Sequence, residues 1–260
     1  MQDRFAGDVG DFGKFSLLKN IFPEDSSYRL GIVWYLFPDE GHSKDGRHIG
    51  YSVKEDYCRC DAGLCGKLGG MNADGDRSVA GLESLELLPK NPIYYSDRLD
   101  FHLTYPTQSQ VDKSERKERR RKWLKVAVKK MSDRNALFLD PDNGLEIDSC
   151  KHIHQIKSGK FAYYCEVNDL FKGKDVCVIY HHLNRHKKHG THENQVWSRI
   201  RELRCRIEPS GKIFGLRFWP YSPRVFFILT SREAEANIRA SIKRYVDGCC
   251  GVHWDGPYEG

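Results

Sequence analysis

Three short apolar runs, each cut off by polar residues, do most to limit what this chain can fold into. Leu30 to Phe37 reads LGIVWYLF, Ala136 to Leu139 reads ALFL, and Val176 to Tyr180 reads VCVIY. Unbroken runs of this length are typical of strands covered on both faces, and such strands belong to parallel sheets flanked by helices. Segments of helical character lie between and after them: Phe15 to Phe22, closed by Pro23; Val79 to Leu88; Glu115 to Met131; Glu193 to Ile207; and Glu233 to Tyr245. The fourth places Val196, Trp197, Ile200 and Leu203 on one face. Ile93 to Tyr95 adds a short strand. Ile213 to Phe218 and Val225 to Thr230 read as a late hairpin joined through Trp219 to Arg224, which implies an antiparallel edge. The expected architecture is one α/β domain over residues 1–260, Rossmann-like, with a mostly parallel sheet and helices on both faces. An irregular insertion, rich in Gly, Asp and Cys, is expected over residues 52–78, and a cysteine-containing tail ends the chain.

Sheets of this kind hold ligands outside the carboxyl ends of their strands. Three polar loops fall there, at residues 38–48, 140–146 and 181–192. The second is the most specific feature of the chain. In Asp140-Pro141-Asp142-Asn143-Gly144-Leu145-Glu146, three carboxylates and a carboxamide crowd directly behind an apolar strand. Proline and glycine fix the turn. Carboxylates packed so closely repel one another, and one with a raised pKa can serve as an acid or a base. Asn143 offers both a donor and an acceptor to a base edge. After the next strand come His181, His182 and Arg185, suited to a developing anion and a phosphate. The first loop contributes Asp39, Glu40 and His42.

Basic residues cluster beside these loops. Lys113 to Lys130 holds ten Lys or Arg among eighteen residues, and Asn184 to His189 forms a second basic stretch. Such clusters attract a phosphate backbone, with Arg120, Arg121, Lys125 and Lys187 as the candidate contacts. Gly7 to Lys14 carries three glycines and a lysine, but Phe15 follows Lys14 and no strand precedes it. That spacing fails the triphosphate-binding pattern, so Lys14 is expected to hold at most one phosphate at a helix start. No run approaches the ~18 apolar residues that span a bilayer. The acidic, glycine-containing start does not read as a signal peptide, so a cytoplasmic protein is expected. The nine cysteines are scattered and lack regular C-x-x-C pairing. Reduced thiols and no bound metal are expected.

The blocks GDVGDFGKFSLLK (7–19), LGIVWYLFPDEGHSKDGRHIGY (30–51), LFLDPDNGLE (137–146), KSGKF (157–161) and VIYHHLNR (178–185) resemble one widespread family of small bacterial proteins. That family is similar to anti-phage DNA glycosylases, which remove modified cytosines from viral DNA. A looser likeness runs to the adenine-N6 methyltransferases of large-subunit ribosomal RNA. These have an Asp-Pro-Pro-Tyr loop where this chain has Asp140 to Asn143. Two departures separate the chain from them: Phe37-Pro38-Asp39-Glu40 replaces a glycine-rich cofactor turn, and Asn143 replaces the base-stacking aromatic. Extra carboxylates fit activation of water. The resemblance therefore implies a cofactor-free glycosylase that extrudes a modified base from DNA. Asp142 or Asp140 would orient water or stabilise the sugar cation, Asn143 would grip the base, and His182 would stabilise the departing base. Base methyl transfer through S-adenosylmethionine remains open. So does a metal-dependent nuclease built on Asp142, Glu146 and Lys157 or Lys160.

Overall fold

The computed structural model describes residues 1–41, 46–185 and 189–260. His42 and Lys187 lie outside the described residues. The three apolar runs become β1 (Leu30–Tyr35), β3 (Ala136–Pro141) and β6 (Val176–His182), and the short run at 93–95 becomes β2 (Ile93–Tyr95). Between β3 and β6 a two-stranded ladder forms from β4 (Gly144–Leu145) and β5 (Phe161–Ala162). The late hairpin is β7 (Ile213–Phe218) and β8 (Arg224–Thr230), and the tail ends in β9 (Trp254–Glu259). The main sheet runs β2-β1-β3-β6-β8-β7-β9, parallel from β2 to β6 and antiparallel beyond. The expected α/β, Rossmann-like architecture with its late antiparallel hairpin is therefore present. One detail differs: the hairpin lies inside the sheet and β9 forms that edge, pairing with β7. Cysteine, glycine and proline in the tail hid that strand.

Alternation along each strand divides the core between two faces. Ile32, Trp34, Phe138, Val178 and Phe226 pack on one face with α1 (Val9–Ile21), α3 (Ala62–Asp74) and α9 (Arg232–Asp247). Val33, Tyr35, Leu137, Leu139, Cys177 and Ile179 pack on the other with α6 (Gln110–Lys130), α7 (Tyr164–Phe171) and α8 (His192–Ile207). This parity continues into the polar residues at the strand ends. It sends Asp140 and His182 toward α1, and His181 toward the opposite face.

Three expectations need correction. The glycine-bearing segment does not precede the first helix but forms its first turns, because Asp8 caps α1 through the Gly10 N–H at 2.7 Å. Its glycines serve close packing: a Cβ on Gly13 would lie 3.0 Å from the Phe218 ring. The insertion is also not irregular. It folds as α2 (Glu55–Cys60) and α3, with Asp61 capping α3 at the Leu64 N–H and Tyr57, Leu64, Leu68 and Met71 buried. The cysteines are not all reduced either, since a disulfide joins Cys60 to Cys250. The end of α2 packs against the turn Cys249–His253, bringing two residues 190 apart in sequence to a Cα separation of 4.7 Å. No spacing pattern announces such a pair. Among the described residues, no helix is long and apolar enough to cross a membrane.

Candidate active site

The strand order reverses between β1 and β3, which opens a crevice at their carboxyl ends where such sheets hold ligands. Here the first residues fill it. The Met1 amino group donates to the last carbonyl of β1, Tyr35 O at 2.8 Å, and the next-to-last of β3, Asp140 O at 3.2 Å. The open space is displaced toward β6. A cavity of about 480 Å³ there is lined by residues of the first turn, α1, the loop after β1, the Asp140–Asn143 turn, Lys160, the end of β6, and Arg224.

Asp142 is the centre of the arrangement. It is 8% exposed, and Oδ2 accepts from Gln2 Nε2 at 2.8 Å, with Lys160 Nζ at 3.5 Å. Gln2 Nε2 also reaches Glu40 Oε2 at 3.3 Å, and Lys160 is ion-paired with Glu40. The other oxygen, Asp142 Oδ1, is buried with no hydrogen-bond partner among the described residues. Leaving a buried carboxylate oxygen unsatisfied costs about 1–3 kcal/mol or more. Asn143 and His182 stand beside it. The Asn143 N–H donates to Lys160 O at 2.8 Å, and Asn143 O accepts from His182 N at 3.2 Å. Both side chains, with Glu40 and Arg185, line the cavity. Arg185 donates to Ser222.

Other expected site residues have different roles. Lys14 is buried and gripped by Asp11 at 2.6 Å and Asp140 at 2.7 Å. Burial alone favours its neutral form, but the two carboxylates outweigh this and hold its pKa above the usual lysine value. Lys14 therefore does not hold a phosphate, and Asp140 is its counter-ion, with a pKa that burial raises against the pull of Lys14. His181 faces away from the cavity, as strand parity requires. Its Nδ1 accepts the Leu145 N–H at 3.0 Å. Burial, then Arg199 and His182, hold its pKa well below the usual histidine value, so it is a neutral structural acceptor. A Cβ on Gly144, where φ is +104°, would lie 2.2 Å from His181 Nδ1, so only glycine allows this contact. Asp39 is exposed and accepts the Arg4 N–H at 3.2 Å, outside the cavity lining.

Arg120 also departs from expectation. It is 1% exposed and forms a two-point pair with Glu166 at 2.7 and 2.9 Å. It donates further to Ser158 O at 2.8 Å and Phe161 O at 2.7 Å. It is an internal brace, not a phosphate contact, and it clamps the segment that carries Lys160. Arg121 and Lys125 are exposed on α6. Glu146 lines a second cavity with His152 and His154 rather than joining Asp142. The carboxylate set expected of a metal-dependent nuclease is thus not assembled. Among the described residues, no group of three or more His, Cys, Asp or Glu side chains is placed to hold a metal ion.

Sequence reasoning missed Gln2 and Arg224, while Lys160, grouped with Asp142 in the nuclease alternative, does stand beside it. Gln2 carries no motif, and its role depends on the first residues crossing the ends of β1 and β3. No family model, curated protein or solved structure matches this chain.

Proposed function

We propose that the chain hydrolyses the N-glycosidic bond of a modified base in DNA, with Asp142 as the reacting carboxylate. The observation that carries this reading is the two-sided state of Asp142. Gln2 and Lys160 fix one oxygen, the other is buried and unsatisfied, and the residue lines a cavity of about 480 Å³, a size usual for small-ligand sites. A carboxylate so held can orient water or stand against the positive charge that develops on the sugar as the bond breaks. His182 and Asn143 supply polar groups for the base, whose extrusion from the duplex requires a few kcal/mol. Asp140 is engaged with Lys14 and leaves the role to Asp142. Defence against phage with modified cytosines, in the cytoplasm, is the setting that fits this chemistry.

Methyl transfer to a base is the second reading, favoured by the position of the Asp140-Pro141 turn beside the reversal of strand order. Against it, Met1 occupies that crevice and Lys14 holds the carboxylate that would accept from a target amino group. Incubation with DNA from unmodified and hypermodified phages, followed by alkali, separates the readings. Alkali-dependent breaks support excision. Label incorporated from methyl-tritiated S-adenosylmethionine, with no such breaks, refutes it in favour of methyl transfer.

A further inference from the structure

Arg224 is a buried cation that the proposed chemistry leaves unused. It is 4% exposed, and among the described residues its Nε has no hydrogen-bond partner and it forms no ion pair. Its guanidinium lies 5.7 Å from the centroid of the Phe218 ring. Of the other buried lysines and arginines, Arg120 is matched by Glu166, Lys14 by Asp11 and Asp140, and Lys160 by Glu40, while Arg116, away from this cavity, donates to the carbonyls of Tyr105, Thr107 and His154. A guanidinium withdrawn from water without an anion is strongly disfavoured.

The sheet determines where this charge sits. Arg224 is the register partner of His182, and Phe226 of Tyr180, so Arg224 and His182 share the face that looks toward α1. Gly10 makes room, since a Cβ there would lie 2.1 Å from Arg224 Nη1. The Asp8 carboxylate nearby is engaged as the cap of α1. Arg224 lines the same cavity as Asp142, as do Arg185 and Ser222, to which Arg185 donates. The loop between β7 and β8 also carries Trp219 and Tyr221, which are 50% and 47% exposed. Tyr221 adopts a left-handed φ of +61° and stacks on His48 at 4.1 Å. Exposed rings beside a basic cavity are of the kind on which bases stack.

We propose that Arg224, assisted by Arg185, forms a subsite for the phosphate of a nucleotide. The proposal rests on the excision reading and names the substrate unit that enters the cavity: a base, its sugar and the adjoining phosphate. A guanidinium binds phosphate through two parallel hydrogen bonds, and the charge it lacks in the free protein then arrives with the substrate.

The test is calorimetric titration of the full chain with dCMP, deoxycytidine and inorganic phosphate, repeated with Arg224→Met and Arg224→Gln. The expected result is dCMP binding at least about tenfold tighter than deoxycytidine, with that preference lost in both variants. Arg224→Met should also melt higher than wild type without ligand, because the uncompensated charge is gone. Three results overturn the subsite: no dCMP binding, unchanged dCMP binding in both variants, or inorganic phosphate binding as tightly as dCMP. The two readings fail separately. Base release that persists unchanged in Arg224→Gln removes the subsite alone. Arg224-dependent dCMP binding without base release from any modified DNA removes the excision reading alone.

Discussion

Replacing Arg120 with methionine removes four hydrogen bonds and leaves the Glu166 carboxylate stranded. Two of those bonds go to Glu166 and two to the carbonyls of Ser158 and Phe161. Both side chains of the pair are almost wholly buried, at 1% and 3%. Breaking such a pair from one side costs about 3–5 kcal/mol. In a chain of this size each kcal/mol lowers the melting temperature by about 2–4 °C, so Arg120→Met should melt roughly 6–20 °C below wild type. The double variant Arg120→Met, Glu166→Met removes the stranded charge and should recover much of that loss. Thermal unfolding followed by circular dichroism reads both numbers. Because the brace clamps both sides of Lys160, the single variant should also lose activity well below its melting point. A single variant that melts within about 2 °C of wild type would refute the assignment of Arg120 as an internal brace.

Gly144→Ala should destabilise by more than the usual left-handed penalty of about 1–3 kcal/mol, since its Cβ also collides with His181; urea unfolding with an unchanged midpoint would contradict this. His181 is held neutral in the fold, so below about pH 6.5 the unfolded chain takes up a proton that the native state refuses. Stability then falls with decreasing pH by up to about 1.4 kcal/mol per unit from this group, and His181→Gln should flatten that slope. The same slope in the variant would remove the neutral-acceptor role. Charge reversal at Arg121 and Lys125, both exposed on α6, should weaken DNA binding without regard to sequence and flatten its salt dependence. Wild-type binding at low salt would show that face to be merely solvated.

Much of the fold was legible because burial dictates composition. The runs at residues 30–37, 136–139 and 176–180 are strands covered on both faces, and the loops behind them meet at one cavity. Strand parity, extended two residues further, would also have separated His182 from His181. What the sequence concealed depends on long-range packing. Arg120 belongs to a strongly basic helix, and nothing local distinguishes it from Arg121. Only the fold brings Glu166 and two carbonyls to it. Glycines ahead of Lys14 suggest a phosphate contact, whereas in the fold Gly10 and Gly13 admit Arg224 and Phe218. The glycines of the insertion suggest irregular chain, although Asp61 and the spacing of Leu64, Leu68 and Met71 are ordinary helix signals.

The central claim is that the tethered carboxylate of Asp142 breaks a glycosidic bond. The most direct measurement is mass-spectrometric detection of free base after incubating DNA that carries modified cytosines with wild type and with Asp142→Asn. Asparagine keeps the size of the side chain and removes its charge, so the fold should persist, with a thermal melt as the control. The account predicts stoichiometric release of the modified base by wild type and none by the folded variant. Equal release by both proteins would contradict it.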